Sequence, residues 1–183
     1  MITRPDGQRR CVVVLDTSGF VAGFDPFSVD SEQVTVPRVG EEIRRNSMIK
    51  MRFETAIESG KLRVVTPSKE SSNAAKAVIN KVGDSHELSE ADRQLLSLAL
   101  ELKTQGYTPQ IVSDDYSIQN VAKQMGIEFL ALATFGIKRV LNWIRYCPAC
   151  HREYLADCKN RECLVCGTEL KRKPRRTTKR AEK

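Results

Sequence analysis

Short continuous apolar runs alternate along the chain with apolar stripes of helical spacing. Cys11-Val12-Val13-Val14-Leu15 is a β-branched run of strand length that stops abruptly at Asp16-Thr17-Ser18-Gly19. A run without polar alternation is the pattern of a parallel strand covered on both faces. A less regular stretch follows, containing Gly23 and Pro26. Val34-Thr35-Val36 then reads as extended, and Pro37 suits the first turn of a helix predicted over roughly residues 38–58. Gly60 suits a C-cap, residues 61–66 (KLRVVT) alternate as a strand, and residues 72–82 read as a helix. The strongest helix follows Leu88-Ser89-Glu90-Ala91-Asp92, with Leu95, Leu96, Ala99 and Leu102 on one face and Gly106 closing it. Residues 110–113 (QIVS) form a further strand ending in Asp114-Asp115. A helix at 117–125 and a short strand at 127–130 come next, and a segment at 137–146 leads into a cluster of cysteines. Helices alternating with short apolar strands predict an α/β fold with a parallel sheet flanked by helices.

Charge changes the picture only once it is located. The 183 residues carry a net charge of +7, yet residues 1–146 are nearly neutral, with 19 basic and 18 acidic side chains. Residues 147–183 hold 11 basic and 5 acidic ones, and eight of the basic ones fall after residue 170. A polycationic end of this kind attracts phosphate by counterion release. No apolar run approaches the roughly 20 residues that span a bilayer, and no secretory signal is evident. No membrane association and a cytoplasmic location are therefore expected.

Five of the six cysteines lie between residues 147 and 166. Cys147-Pro-Ala-Cys150 and Cys163-Leu-Val-Cys166 are two C-x-x-C knuckles separated by 12 residues, the spacing of a closed tetrahedral zinc site. Such a site has no open position for water, so its Zn²⁺ is structural. Gly167 suits the tight turn of a zinc ribbon, whereas Cys158 breaks the paired spacing and His151 adjoins Cys150 too closely. The basic side chains expected to hold RNA are Arg152, Lys159, Arg161, Lys171, Arg172, Lys173, Arg175 and Arg176. Tyr146 and Tyr154 are the nearest aromatics for base stacking. The expected division is an α/β domain over residues 1–140, a zinc ribbon over 141–170 and a disordered basic tail over 171–183.

In an open parallel sheet, ligands bind beyond the carboxyl ends of the strands. Asp16 follows the first strand and Asp114-Asp115 follow a later one, while Glu41 or Glu42 and Asp92 lie on intervening helices. If these acids converge, they form an all-oxygen pocket suited to Mg²⁺ or Mn²⁺. Taken singly, each has a plainer role: Asp16 and Asp114-Asp115 as turn residues, Asp92 as the acidic member of a capping box with Ser89.

The ordered segments LDTSGF (15–20), VPRVGEEI (36–43), LSEAD (88–92) and SDDYSIQN (113–120) resemble the PIN-domain nucleases. More narrowly, SDDYSIQNVA followed by GIK (136–138), Trp143 and a four-cysteine module resembles the Nob family, endonucleases that trim the 3′ end of small-subunit ribosomal RNA. The likeness covers about residues 11–170, and the compact architecture is similar to an archaeal member. It implies an endoribonuclease with catalytic carboxylates Asp16, Glu42, Asp92, Asp114 and Asp115. Of these, Asp16, Glu42, Asp92 and Asp115 would hold the Mg²⁺ or Mn²⁺. Ser117 stands where many PIN nucleases have a further acid, which leaves one or two ions open. The implied partners are precursor rRNA, the small ribosomal subunit and ribosome-assembly proteins. Two other readings are a toxin-like PIN ribonuclease acting on tRNA or mRNA, and a non-catalytic RNA-binding assembly scaffold.

Overall fold

The apolar run at the start of the chain forms β1 (Cys11–Leu15), and the rest of the nuclease-like half is wound around it. The computed structural model describes residues 10–44, 47–83, 87–134, 136, 142–155, 158 and 160–175. Val12, Val13, Val14 and Leu15 are all buried, as a strand covered on both faces requires. β2 (Glu32–Thr35) and β3 (Leu62–Val64) lie on one side of β1, and β4 (Thr108–Val112) and β5 (Glu128–Leu130) on the other. All four neighbouring pairs are parallel, in the order β3-β2-β1-β4-β5. The winding therefore changes direction between β1 and β4. There Leu15 pairs with Val112, so Asp16 and Ser113 leave the sheet side by side.

The helices differ from the sequence expectation at two places. A five-residue helix α1 (Thr17–Val21) follows β1 directly, capped by the Asp16 side chain. The helix expected over 38–58 is instead two, α2 (Pro37–Ile43) and α3 (Ser47–Glu58). The reason is packing: the Phe53 ring lies 3.2 Å from where a Cβ on Gly40 would stand. In one continuous helix these residues would be about 20 Å apart at a rise of 1.5 Å each, so the chain folds back to bury Phe53 against Gly40. α4 (Lys69–Val82), α5 (Glu90–Thr104) and α6 (Tyr116–Gln124) follow the expected order. α5 packs on β1 and β4 and touches α2, α4 and α6. Its buried Leu95, Leu96, Leu98 and Ala99 join the core, each large side chain contributing about 1.5–3 kcal/mol.

The cysteine-rich half forms a separate antiparallel sheet of β6 (Trp143–Tyr146), β7 (Glu153–Tyr154) and β8 (Lys171–Pro174), in the order β7-β6-β8. The basic tail expected from Lys171 is corrected here, because its first four residues pair with β6, Tyr146 opposite Lys171 and Trp143 opposite Pro174. The run KRKP reads as tail by charge. It is held as a strand because Arg172 lies 4.1 Å over the Trp143 ring and Lys173 4.8 Å over the Tyr146 ring.

Gly19 joins the fold to the strand ends. A Cβ there would meet Val112 Cγ1 at 3.0 Å and the Val112 carbonyl at 3.1 Å. Gly19→Ala should push α1 off β4, lowering stability by about 1–3 kcal/mol in chemical denaturation. It should also lower nuclease activity by more than that loss of folded protein explains.

Candidate active site and metal centre

Asp16 sits in the crevice where the winding reverses, and it is only 4% exposed. Three donors converge on a single oxygen, Oδ2: the Ser18 hydroxyl at 2.5 Å, the Ser113 hydroxyl at 2.8 Å and the Ser18 amide at 3.4 Å. The same hydroxyls tie in the next strand end. Asp114 N–H donates to Ser18 Oγ at 3.0 Å, and Asp115 N–H donates to Ser113 Oγ at 3.1 Å. Burial nevertheless outweighs these donors and raises the Asp16 pKa above its ordinary value.

The other acids approach from separate elements. Glu42, on α2, accepts from the Thr17 hydroxyl at 2.7 Å, next to Asp16. Glu41 turns outward into an exposed ion pair with Arg38 at 2.8 Å. Of the two glutamates, Glu42 is the one bonded to the residue beside Asp16. Asp92 closes the capping box of α5, its Oδ2 accepting from Ser89 N–H at 2.7 Å. Its pKa is raised, by burial first and then by repulsion from Asp16 and Asp115, against the Ser89 donors. The capping-box role expected of Asp92 is present. Asp115 caps α6 through Ser117 N–H at 2.6 Å.

Asp114 is placed differently from the other four. Its carboxylate accepts from the backbone amides of Leu132, Ala133 and Thr134 and from the Thr134 hydroxyl, at 2.9–3.1 Å. Burial opposes ionisation there, but the four donor groups prevail and its pKa is lowered. The structure gives Asp114 the 132–134 turn to hold. Ser18, Ser113 and Thr17 were not singled out from the sequence. The available signal was local: a hydroxyl two residues after Asp16, and another just before Asp114, are positions from which Ser bonds neighbouring backbone or Asx groups.

The second centre is tighter. The Sγ atoms of Cys147, Cys150, Cys163 and Cys166 all lie within 4.8 Å of one another. Among the described residues no other set of three or more such ligands gathers as closely. The closest approaches run across the knuckles, Cys147 to Cys166 at 3.3 Å and Cys150 to Cys163 at 3.5 Å. The knuckles repeat one hydrogen-bond pattern. Cys147 N–H bonds the Arg152 carbonyl and His151 N–H the Cys147 carbonyl, while Cys163 N–H bonds the Thr168 carbonyl and Gly167 N–H the Cys163 carbonyl. His151 (φ 59°) and Gly167 (φ 70°) hold equivalent left-handed positions. His151 is thus a turn residue, and neither it nor Cys158 belongs to the ligand group. Tyr154 turns its hydroxyl inward: it accepts from Leu164 N–H at 3.1 Å and is hydrogen-bonded to Cys163 Sγ at 3.0 Å. That bond leads the causes that pull the Cys163 thiol down to about 6. The Tyr154 hydroxyl is thus engaged with the thiol cluster.

The two centres can be compared with known proteins. A PIN domain of ribonuclease matches residues 13–102. Endoribonuclease Nob1 of Pyrococcus abyssi is 41% identical over 90% of this chain and 94% of its own length. Endoribonuclease Nob1 of Methanothermobacter thermautotrophicus is 37% identical over 89% of this chain and 93% of its own. The chain belongs to the Nob1 endoribonuclease family. Ribonuclease VapC1 of Thermoplasma acidophilum is also similar, at 30% identity over 88% of this chain and 77% of its own. A PIN-like parallel sheet is joined to a four-cysteine zinc-ribbon fold, and the protein is an endoribonuclease.

The basic side chains of the Nob1-like ribbon divide into two groups. Arg172 pairs with Glu87 at 2.9 Å beside its contact with Trp143, and Lys173 pairs with Glu153 at 2.7 Å. Arg152, Arg161, Lys171 and Arg175 are exposed. Lys159 and Arg176 lie outside the described residues. No helix among the described residues is long and apolar enough to cross a membrane.

Two outcomes follow from this geometry. Asp16 binds its proton more tightly folded than unfolded, so its favourable contribution is full below the ordinary carboxylate pKa. That contribution is lost as pH rises through the raised native value. In Mg²⁺-free buffer, Asp16→Asn should therefore be more stable than wild type at pH 7.5. Thermal unfolding should show the difference shrinking at pH 4. Separately, Tyr154→Phe should weaken binding at the thiol cluster roughly 10–100-fold, measured by Zn²⁺ competition against a chelating dye.

Proposed function

We propose that this protein cleaves single-stranded precursor small-subunit rRNA at its 3′ end, by metal-assisted hydrolysis that leaves 5′-phosphate and 3′-hydroxyl ends. The observation that supports the reading is the Ser113 hydroxyl at the β1/β4 switch point, which bonds the Asp16 carboxylate and the Asp115 amide together. Asp92 feels the charges of both Asp16 and Asp115, and Glu42 is bonded to the residue beside Asp16.

An acidic crevice of this kind is unfavourable until a cation neutralises it. Its all-oxygen donors suit a hard ion such as Mg²⁺ or Mn²⁺, which keeps several waters and takes few carboxylates directly. When bound there, the ion supplies charge neutralisation to the phosphodiester and an activated water. The protein's own side chains do the placing. Ser18 and Ser113 fix the Asp16 carboxylate through one oxygen, Thr17 fixes Glu42, and the Ser89 cap fixes Asp92. In this reading Asp114 is a positioning residue that holds the 132–134 turn against the crevice.

Four converging thiols and no open position fit structural Zn²⁺ in the ribbon. The exposed Arg152, Arg161, Lys171 and Arg175 would grip RNA phosphates, while Arg172 ties the ribbon to Glu87. The proposed boundary lies near residue 140, with the ribbon extending through β8. The reading implies a cytoplasmic protein that meets its RNA within the small ribosomal subunit and its assembly proteins.

The test is cleavage of a short RNA spanning the mature 3′ end. Ser113→Ala should lose roughly 10–100-fold, the effect of removing an outer-shell partner, and Asp16→Asn more than that. Equal cleavage by wild type and Asp16→Asn would sink the assignment.

A further inference from the structure

A cavity of about 320 Å³ opens between α4 and α5, outside the acidic crevice. Its volume is at the small end of ligand pockets, enough for a single nucleotide unit. Asn73, Lys76 and Asn80 line it from α4, at spacings of three and four residues that share one helical face. From α5 it is lined by Glu90, Arg93, Gln94 and Ser97, again one face. Two helices packed together ordinarily meet through apolar stripes. Beside the apolar residues that α4 and α5 bury, the cavity is lined by polar side chains, with Ile79 as the apolar exception.

Gln94 carries the second observation. Its Oε1 is buried and has no hydrogen-bond partner among the described residues. A buried acceptor left unsatisfied costs about 1–3 kcal/mol, so a turn of the Gln94 carboxamide that brings it to a donor in the cavity would be favoured. The place of the cavity adds a third. Glu90 lines both this cavity and a neighbouring cleft of about 250 Å³ whose wall includes Glu42. Glu90 lies two residues before Asp92 on α5.

We propose that the cavity is a nucleotide subsite that reads one base of the RNA strand beside the cleavage position. The carboxamides of Asn73, Asn80 and Gln94 offer both donors and acceptors, the complement of an unpaired base edge. Lys76 supplies the cation for the adjoining phosphate. The proposal rests on the nuclease reading for its substrate class, but it concerns binding and needs no chemistry. It gives the enzyme a source of sequence preference that the acids, which handle only the phosphodiester, lack.

The experiment is titration of the full-length, zinc-loaded protein with each of the four nucleoside 5′-monophosphates, followed through the side-chain amide NMR signals of Asn73, Asn80 and Gln94. Inorganic phosphate serves as the control. At least one nucleotide should shift these signals saturably and bind at least fivefold more tightly than phosphate. Asn73→Ala, at an exposed position, should weaken that nucleotide at least fivefold while leaving phosphate unchanged. Binding retained in Asp16→Asn supports the subsite whatever that variant does to cleavage. Equal shifts from phosphate and all four nucleotides, or nucleotide shifts confined to the ribbon or the acidic crevice, overturn it.

Discussion

A carboxylate that is 4% exposed and bonded by two serine hydroxyls is the constraint around which the nuclease half is arranged. Asp16 ends β1, and the serines come from α1 and from the end of β4, so the network spans the two strands between which the winding reverses. It needs α1 to lie flat on Val112, which only a residue without a Cβ at position 19 permits. It also needs Leu15 in register with Val112, because a slip of one residue would turn Ser113 to the other face. Burial keeps Asp16 expensive to ionise, and the hydroxyls keep it oriented. That combination is suited to a site whose charge is completed by a bound cation.

The ribbon is held by different physics. A unit of this size has too little apolar core to fold alone, so its organisation comes from the thiol cluster and from ring-to-cation contacts on β6 and β8. Basic residues there are not interchangeable. Arg172 and Lys173 are committed to rings and carboxylates within the protein, whereas Arg152, Arg161, Lys171 and Arg175 face outward. Charge counting along the chain treats them alike, and the structure separates them.

Local chemistry made much of this legible before any coordinates. The valine run of β1, the capping box of α5 and the paired C-x-x-C knuckles each carry their reason within a few residues. Their types and approximate limits follow from periodicity, capping and ligand spacing. The single helix expected over residues 38–58 failed because its break is tertiary: Phe53 returns to Gly40 across the fold, and no local signal outweighed the helical pattern. β8 was read as tail because Lys and Arg are solvated by default, and only the rings of Trp143 and Tyr146 reverse that.

The sequence by itself determined which residues could do chemistry: five acids near strand ends or helix starts, and four thiols at ligand spacing. Composition and spacing are properties of the chain, and they survive any arrangement of it. What each acid is bonded to was decided only by the tertiary structure. The order β3-β2-β1-β4-β5 brings Asp16 beside Asp115, α2 carries Glu42 to Thr17 while Glu41 turns to Arg38, and the 132–134 turn takes Asp114. Carboxylates far apart in sequence repel or cooperate according to distance through space, and that distance is set by strand order and register, which no single segment encodes.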